Sequence, residues 1–236
     1  TNTLQSQHWM QTHTTSPGGK FRIHYDTIGI NAVSLVDLNN NGIPDYVDTV
    51  CFVFDYVYKK QVEEMGFLSP KTDAYDNNDS LYNIYIEELA VDNKGYYGEC
   101  VPIRKYENNK FYSFIRIDNN YSINDSITIN GKKRRCFYTV DSEAIKVTAA
   151  HEFFHAIQLA YRSENVSICE MSSVFMEMLI YPEIYDYLQY VNAMTKNINS
   201  FIFGSVTNNS YSFYYCLLYT SDACRRSTLC RSRLSP

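Results

Sequence analysis

Apolar and polar residues alternate in the stretch Phe21 to Asp26, and a period of two predicts a half-buried strand. Two later runs, Leu81 to Leu89 and Phe111 to Ile117, are rich in aromatic and β-branched residues and are bounded by Asn, Asp and Gly. Residues of this kind favour a pleated, partly buried surface. The pattern therefore predicts strands over all three stretches.

A spacing of three to four residues between apolar positions marks the helices. This spacing runs from Asp45 to Gly66, where the glycine follows the last turn, and it predicts a long amphipathic helix. A second helix is predicted to begin at a cap formed by Asp141 or Ser142 and to run to about Tyr161.

The third predicted helix spans about Glu170 to Ile180, and Pro182 ends it or offsets the chain before another helical stretch at 184–194. Since the strands come early in the chain and these helices late, the predicted fold class is α+β.

The second predicted helix carries the motif H-E-x-x-H at His151, Glu152 and His155. Residues four apart lie one turn above each other on the same face, so both imidazoles can bind one zinc ion. Zinc lowers the pKa of its bound water to about 7, and a neighbouring carboxylate then takes the proton as the water attacks a carbonyl. This chemistry assigns Glu152 as the general base. The alternative is two unrelated histidines on a packed helix.

A catalytic zinc usually has three protein ligands and one open position, so a third ligand is expected. Glu170 and Glu177 are the candidates, and they share one face of the following helix because they stand two turns apart. We favour Glu170 as the ligand, provided that the loop from Arg162 to Ile168 turns tightly, and Glu177 as its outer partner or as an alternate ligand. The alternative for either residue is a solvated helix carboxylate.

A second candidate metal site is the segment of 12 residues that starts at Asp37, in which Gly42 occupies the turn position of a calcium-binding loop. The oxygen donors expected for calcium are Asp37, Asn39, Asn41, the backbone carbonyl of Ile43, Asp45 and Asp48. Aspartate in place of the usual final glutamate, together with a proline at the eighth position, indicates an EF-hand-like loop of the extracellular kind with modest affinity. The alternative is an Asn- and Gly-rich turn that caps the helix without an ion.

Composition and charge argue against a nucleic-acid-binding protein and against a membrane-spanning one. A net charge of -5 with 20% charged residues gives no general basic surface, so no nucleic-acid partner is predicted, and the basic run Lys132 to Arg135 is interpreted as a solvated loop. No apolar run reaches the roughly 18 to 20 residues of a membrane span. Frequent Tyr, Asn and Ser often accompany extracellular proteins, so we expect a secreted or cell-surface protein.

Three segments are expected along the chain. Residues 1–20 are a polar leader that need not be ordered, and residues 21–215 form the folded domain. Residues 216–236 depart in composition, since Cys216 to Ser221 resembles the translation of a transposase adapter used in sequencing libraries. We expect this tail to be non-native, exposed and remote from the zinc site. The alternative is a basic C-terminal tail.

The succession of F-R-I-H-Y-D, D-x-N-x-N-G-I-P-D-Y-V-D and T-A-A-H-E-F-F-H-A-I-Q resembles a family of secreted bacterial metalloproteases related to the glutamate zincins. That resemblance, from about Phe21 to Tyr190, implies a zincin-like fold with a mixed sheet, an active-site helix and a following helix that carries the third ligand. The family's W-x-M-E-G-T-A-x-W-M-E aligns with I-C-E-M-S-S-V-F-M-E, which places Glu170 and Glu177 at the acidic positions. Met171 replaces the glycine and both Trp positions differ, so the wall behind the metal is altered. Family members continue beyond residue 215, so the domain is expected to be truncated.

The predicted function is that of a zinc-dependent endopeptidase that cleaves extracellular proteins or peptides, with bound Zn²⁺ and Ca²⁺. The competing class is a catalytically inactive binding module, secreted or on the cell surface, that holds zinc and calcium. The intact Glu152 favours the enzyme, because a purely structural zinc site does not require a general base.

Overall fold

A mixed five-stranded sheet forms the centre of the part of the chain that this computed structural model describes, residues 10–72, 80–90, 95–161 and 166–189. Across the sheet the order is β1 (Thr12–Thr15), β2 (Phe21–Tyr25), β3 (Tyr82–Glu87), β5 (Lys110–Asp118) and β4 (Gly98–Glu107). The three inner strands are parallel, whereas β1 and β4 run antiparallel to their neighbours and form the two edges.

Three helices accompany this sheet: α1 (Asp45–Tyr58), α2 (Asp141–Tyr161) and α3 (Val166–Ile180). The first contacts β2, and α2 contacts β4, β5 and both other helices. A separate hairpin consists of β6 (Ser126–Ile129) and β7 (Lys132–Arg135). The predicted class, α+β with a mixed sheet, is confirmed. Within the described residues no helix combines the length and the apolar character needed to cross a membrane.

Aromatic residues anchor α2 to the sheet. Phe153 is fully buried, and its ring lies 5.5 Å from that of Phe21 on β2 and 6.1 Å from that of Tyr82 on β3. Both pairs meet edge to face, a favourable geometry for aromatic rings. Since Phe153 follows Glu152 directly, these contacts fix the rotation of α2 and therefore the direction in which its motif residues point.

The helix predicted from Asp45 to Gly66 ends as an α-helix at Tyr58 and continues as a π-helical turn over Lys59–Glu64. In this turn Gln61 is fully buried, and its Nε2 donates to the backbone oxygen of Ala150 at 2.8 Å. Wide turns of this kind change the direction of the side chains that follow. The bond ties the end of the first helix to α2 one residue before His151.

Several elements differ from the sequence prediction. Within the expected leader, Thr12–Thr15 forms β1, because its backbone pairs with β2 although its side chains show no apolar pattern. The prediction missed β4, an edge strand with two irregularities in its register and with charged residues and Pro102 along it. The basic run that was interpreted as a loop is the strand β7.

The third helix begins at Val166, earlier than predicted, so residues 166–168 are helical and do not belong to a loop. It ends at Ile180, before Pro182, as the sequence indicates. Four stretches of the prediction lie outside the described residues. They are residues 1–9 of the leader, residues 162–165, residues 190–194 of the stretch 184–194, and the adapter-like tail.

Candidate metal centre

Three side chains from two helices meet at one point. His151 and His155 lie one turn apart on α2, and Glu170 lies in the first half of α3. Nε2 of His151 is 3.0 Å from Nε2 of His155 and 3.2 Å from Oε2 of Glu170, and the third side of this triangle measures 3.4 Å. The structure thus brings together the three residues that the sequence favours as zinc ligands.

The spacing and chemistry of this donor set fit a divalent metal ion. In a tetrahedral zinc site with bonds of about 2.0 to 2.1 Å, ligand atoms lie about 3.3 Å apart, close to the three observed distances. Moreover, two imidazole nitrogens 3.0 Å apart need a proton or a cation between them, because their lone pairs repel each other. Two histidines and one glutamate are also a known ligand set of catalytic zinc.

Glu177 orients His151 from the side opposite the donor triangle. Its Oε1 lies 2.5 Å from Nδ1 of His151. A carboxylate accepts this hydrogen bond, so Nδ1 carries a proton, and Nε2 is the ring nitrogen that faces His155 and Glu170. Of the two glutamates, Glu170 therefore lies at the donor triangle, and Glu177 lies on the far side of His151.

His155 is held in the same way by an amide. Its Nδ1 lies 2.9 Å from Oε1 of Gln158, one turn further along α2. The Nε2 of that glutamine donates to the backbone oxygen of Cys169 at 3.1 Å and to Oγ of Ser172 at 3.0 Å, both on α3. The amide orientation is thus fixed by two acceptors on the neighbouring helix, and His155 also directs Nε2 into the site.

The carboxylates of the site attract positive charge. Burial lowers the pKa of His151, but hydrogen bonds with Glu170 and Glu177 raise that pKa well above its ordinary value. Burial raises the pKa of Glu170, but hydrogen bonds from His151 and His155 hold it well below its usual range. Burial raises the pKa of Glu177 to about 7. These carboxylates therefore stabilise positive charge on His151.

Glu152 lies where two cavities adjoin the donor triangle. Its side chain is buried, yet it lines two cavities that meet at the site, a smaller one of about 220 Å³ and a larger one of about 500 Å³. Burial raises the pKa of Glu152, and the nearby His151 and His155 oppose this shift. The carboxyl group also accepts a hydrogen bond from the backbone of Cys100 on β4.

The edge strand approaches the site closely at Gly98, the first residue of β4. A Cβ atom there would lie 2.6 Å from Cγ2 of Thr148 and 3.1 Å from Cγ of Glu152. Any side chain at this position would force β4 away from α2. Gly98 therefore permits the close approach of the strand to the general-base candidate.

A buried polar cluster forms the far wall of the smaller cavity. The hydroxyl of Tyr97 donates to Oδ1 of Asp186 at 3.1 Å and accepts from the backbone N–H groups of Tyr138 at 2.6 Å and Thr139 at 2.8 Å. Nε2 of Gln189 donates to the other Asp186 oxygen at 2.6 Å. Burial raises the pKa of Asp186. The cluster fixes the position of Tyr97, which lines the cavity.

The predicted calcium loop has the backbone shape that its sequence indicates. Gly42 has a φ of 84°, and the two carboxylate oxygens of Asp37 accept the N–H groups of Asn41 at 3.2 Å and Gly42 at 2.9 Å. Oδ2 of Asp48 accepts the side-chain amides of Asn39 at 3.0 Å and Asn41 at 2.8 Å, which joins the two ends of the loop.

Two further residues with predicted calcium donors also take part in bonds within the loop. Asp45 accepts the backbone N–H of Leu38 at 3.1 Å, and Ile43 donates its own N–H to Oδ1 of Asn41 at 2.8 Å. Among the described residues, the only group of His, Cys, Asp or Glu side chains close enough to share an ion is that of His151, His155 and Glu170. The carboxylates of the loop therefore do not converge.

Sequence reasoning missed three residues that shape the site. Gln158 stands three positions after His155 on the same helix, and this spacing alone predicts that the two side chains share a face. Gly98 is a glycine inside a strand, which often marks a close backbone approach, but the strand itself was not predicted. Nothing in the sequence places Asp186 near the site, since it lies far along the chain from Tyr97.

Comparisons with family models, curated proteins and solved structures give no match to this chain, so the geometry of the site is the basis for its function.

Proposed function

We propose that this chain is a zinc-dependent endopeptidase with a zincin-like fold that hydrolyses peptide bonds of extracellular proteins. The observation that carries the proposal is the triangle of donor atoms from His151, His155 and Glu170, with separations of 3.0, 3.2 and 3.4 Å. Glu152 lies beside this triangle and lines both adjoining cavities. A metal-holding set next to a buried carboxyl group in a cleft is the arrangement that metal-assisted hydrolysis requires.

Zinc held by these residues would polarise a peptide carbonyl and lower the pKa of an attacking water. Glu152 takes the proton of that water as general base and then delivers it to the leaving amine. The raised pKa of Glu152 suits this exchange, because a carboxylate of ordinary pKa is a weak base near neutral pH. Glu177 and Gln158 keep the two imidazoles in the tautomer that the reaction needs.

The edge of β4 supports a polypeptide as the substrate. An extended peptide can add to an exposed sheet edge through main-chain hydrogen bonds. The N–H of Cys100 is directed at Glu152 and hence away from β5, and in an antiparallel strand alternate residues share this outward direction. Pro102, two residues further, has no N–H, so a peptide beside it would bond to the outward carbonyl oxygens of β4. A peptide lying along β4 would pass directly in front of Glu152.

We also propose that the loop from Asp37 to Asp48 binds calcium and thereby fixes the start of α1. The left-handed Gly42 and the bonds from Asn39 and Asn41 to Asp48 support this proposal, since they already give the loop a closed shape. Calcium would exchange these internal bonds for oxygen ligands.

The decisive experiment compares wild type with Glu152→Gln in zinc content and in casein hydrolysis. We expect zinc to be retained in both proteins and hydrolysis by the variant to fall by about 10²- to 10⁴-fold, because the substitution removes the base and keeps the ligands. Glu143→Gln is the matched control, since Glu143 is an exposed glutamate of the same helix.

Each other outcome contradicts a distinct part of the proposal. Unchanged hydrolysis by Glu152→Gln removes Glu152 from the mechanism. A wild-type protein that contains no zinc would contradict the proposed zinc site. Zinc binding without hydrolysis by the wild type favours the inactive binding module.

A further inference from the structure

A cationic hairpin stands beside the site. Its strands β6 and β7 are joined by Asn130 and Gly131, whose φ angles of 51° and 73° are both left-handed, as in a type I′ turn. The strand β7 consists of four consecutive cations, Lys132 to Arg135, and all four are exposed. The rest of the chain is acidic, since the whole carries a net charge of -5.

Only one of the four cations has a role within the fold. Arg135 donates from Nε to the backbone oxygen of Phe137 at 2.8 Å and from Nη2 to that of Tyr138 at 3.1 Å. Among residues of the described ranges, Lys132, Lys133 and Arg134 make no ion pair. These three cations therefore form a patch of positive charge that attracts an anionic partner.

The base of the hairpin is part of the cleft wall. Cys136 follows β7 directly and lines the smaller cavity together with His151 and Glu152. Its N–H donates to the backbone oxygen of Asp125 at 2.9 Å, which closes the hairpin. The backbone N–H of Tyr138, two residues after Cys136, donates to the hydroxyl of Tyr97, another residue of that wall. With a rise of about 3.3 Å per residue, the cations extend to about 13 Å from Cys136.

The direction of β4 indicates which part of a substrate would reach the hairpin. β4 runs from Gly98, which lines both cavities, to Glu107. Tyr97, just before β4, lines the smaller cavity, and Cys100 and Pro102 within β4 line the larger one. A peptide paired antiparallel with β4 therefore runs from the larger to the smaller cavity. Its residues after the cleaved bond leave toward Cys136.

We propose that Lys132 and Arg134, which share one face of β7, form a recognition surface for an acidic segment of the polypeptide substrate, located a few residues after the cleaved bond, and that Lys133 on the opposite face adds to the local positive charge. This inference rests on the proposed peptidase function and names its substrate class. Lys132 and Arg134 are paired in register with Ile129 and Ile127, so this face of the hairpin offers apolar contact beside its charges. Continuity with the cleft favours a substrate over a membrane surface.

The test uses two fluorescent peptides of equal length, one with a neutral C-terminal half and one with several Asp and Glu there. Binding is measured by fluorescence anisotropy on the full chain carrying Glu152→Gln, and hydrolysis on the chain without that substitution. The test variant carries Lys132→Glu, Lys133→Glu and Arg134→Glu. The control, with the same change in charge, carries Lys20→Glu, Lys59→Glu and Lys71→Glu at exposed positions that line neither cavity.

We expect the hairpin variant to bind the acidic peptide at least about tenfold more weakly and the neutral peptide equally well, with no such loss in the control. The difference should disappear at about 1 M salt, because salt screens exposed charges. Hydrolysis should follow the same pattern.

The proposal is overturned if the parent protein binds both peptides equally, or if the control variant loses as much affinity as the hairpin variant. Binding to vesicles of phosphatidylglycerol that depends on the hairpin, without discrimination between the peptides, would assign the hairpin to a membrane surface. Hairpin-dependent peptide binding without hydrolysis would contradict the peptidase function and leave the recognition surface supported.

Discussion

The two predicted metal sites of this chain differ in how their donor atoms are held. Those of His151, His155 and Glu170 lie on two packed helices, are largely buried, and face each other within 3.4 Å. The donors between Asp37 and Asp48 are mostly exposed and are engaged in bonds within the loop itself.

The difference shows that packed helices can hold donor atoms close to one another, whereas the donors of an exposed loop engage in bonds within the loop. Packing of α2 against the sheet and α3 holds the imidazoles and the carboxylate near one another. No such packing holds the aspartates of the loop, so in the proposed calcium site the cation would draw them together. We therefore expect substitutions to affect the two sites very unequally.

The largest effect should come from a ligand of the helix-borne site. Glu170→Gln removes the anionic donor, so we expect zinc affinity to fall by more than about 100-fold. Glu177→Gln keeps a weaker acceptor for His151 and should reduce zinc affinity by about 10- to 100-fold, the range found for partners of metal ligands. Titration of the metal-free proteins with zinc in competition with a coloured chelator measures both constants.

The matched pair of Glu170→Gln and Glu177→Gln has the same change in charge and shape, so a difference between them reports position alone. If Glu177→Gln reduces zinc affinity more than Glu170→Gln does, then Glu177 and not Glu170 is the third ligand.

A smaller loss should follow from crowding the strand that borders this site. Gly98→Ala places a methyl group 2.6 Å from Cγ2 of Thr148, and overpacking of this kind costs about 1 to 3 kcal/mol. Thr148→Ser removes the methyl that meets it and should restore part of the stability in the double variant. Urea unfolding of the wild type, the two single variants and the double variant gives the coupling energy between residues 98 and 148. Additive effects would show that the two residues do not touch.

Calcium should stabilise the protein by about 1 to 2 kcal/mol at about 5 mM, given the affinity of about 0.1 to 1 mM that extracellular loops have. Asp37→Ala should abolish this gain, because it removes the first carboxylate of the loop. The informative quantity is the shift of the thermal midpoint on adding calcium, compared between the two proteins. Equal shifts would show that calcium acts elsewhere, and no shift in the wild type would leave the loop as an ion-free turn.

The smallest effect should come from Gly42, the glycine at the turn of the loop. Gly42→Ala meets no neighbouring atom but must adopt a φ of 84°, which costs an alanine about 1 kcal/mol. Gly42→Asn should cost less, because asparagine tolerates the left-handed region. Chemical denaturation without calcium ranks the two variants. A larger loss for asparagine would show that space and not backbone conformation limits this position.

Local periodicity determined much of what the sequence predicted. The spacing of His151 and His155 ensures a common face on any α-helix, and the order Asp37, Asn39, Asn41, Gly42 ensures a turn with a left-handed residue at its sixth position. The strands at Phe21–Tyr25 and Lys110–Asp118 and the α+β class follow from alternation and element order. These properties depend on neighbours along the chain, where the backbone geometry is nearly fixed.

Only the tertiary structure decided which glutamate joins the two histidines and which strand lies beside Glu152. Glu170 and Glu177 look equivalent along one helix face, and the packing angle between α2 and α3 brings the first to the donor triangle and the second behind His151. Likewise, the irregular strand β4 lies beside Glu152 because it pairs with β5 at the edge of the sheet, and its own residues show no alternation. Contacts between residues far apart in sequence depend on how whole elements pack, and no local pattern encodes that geometry.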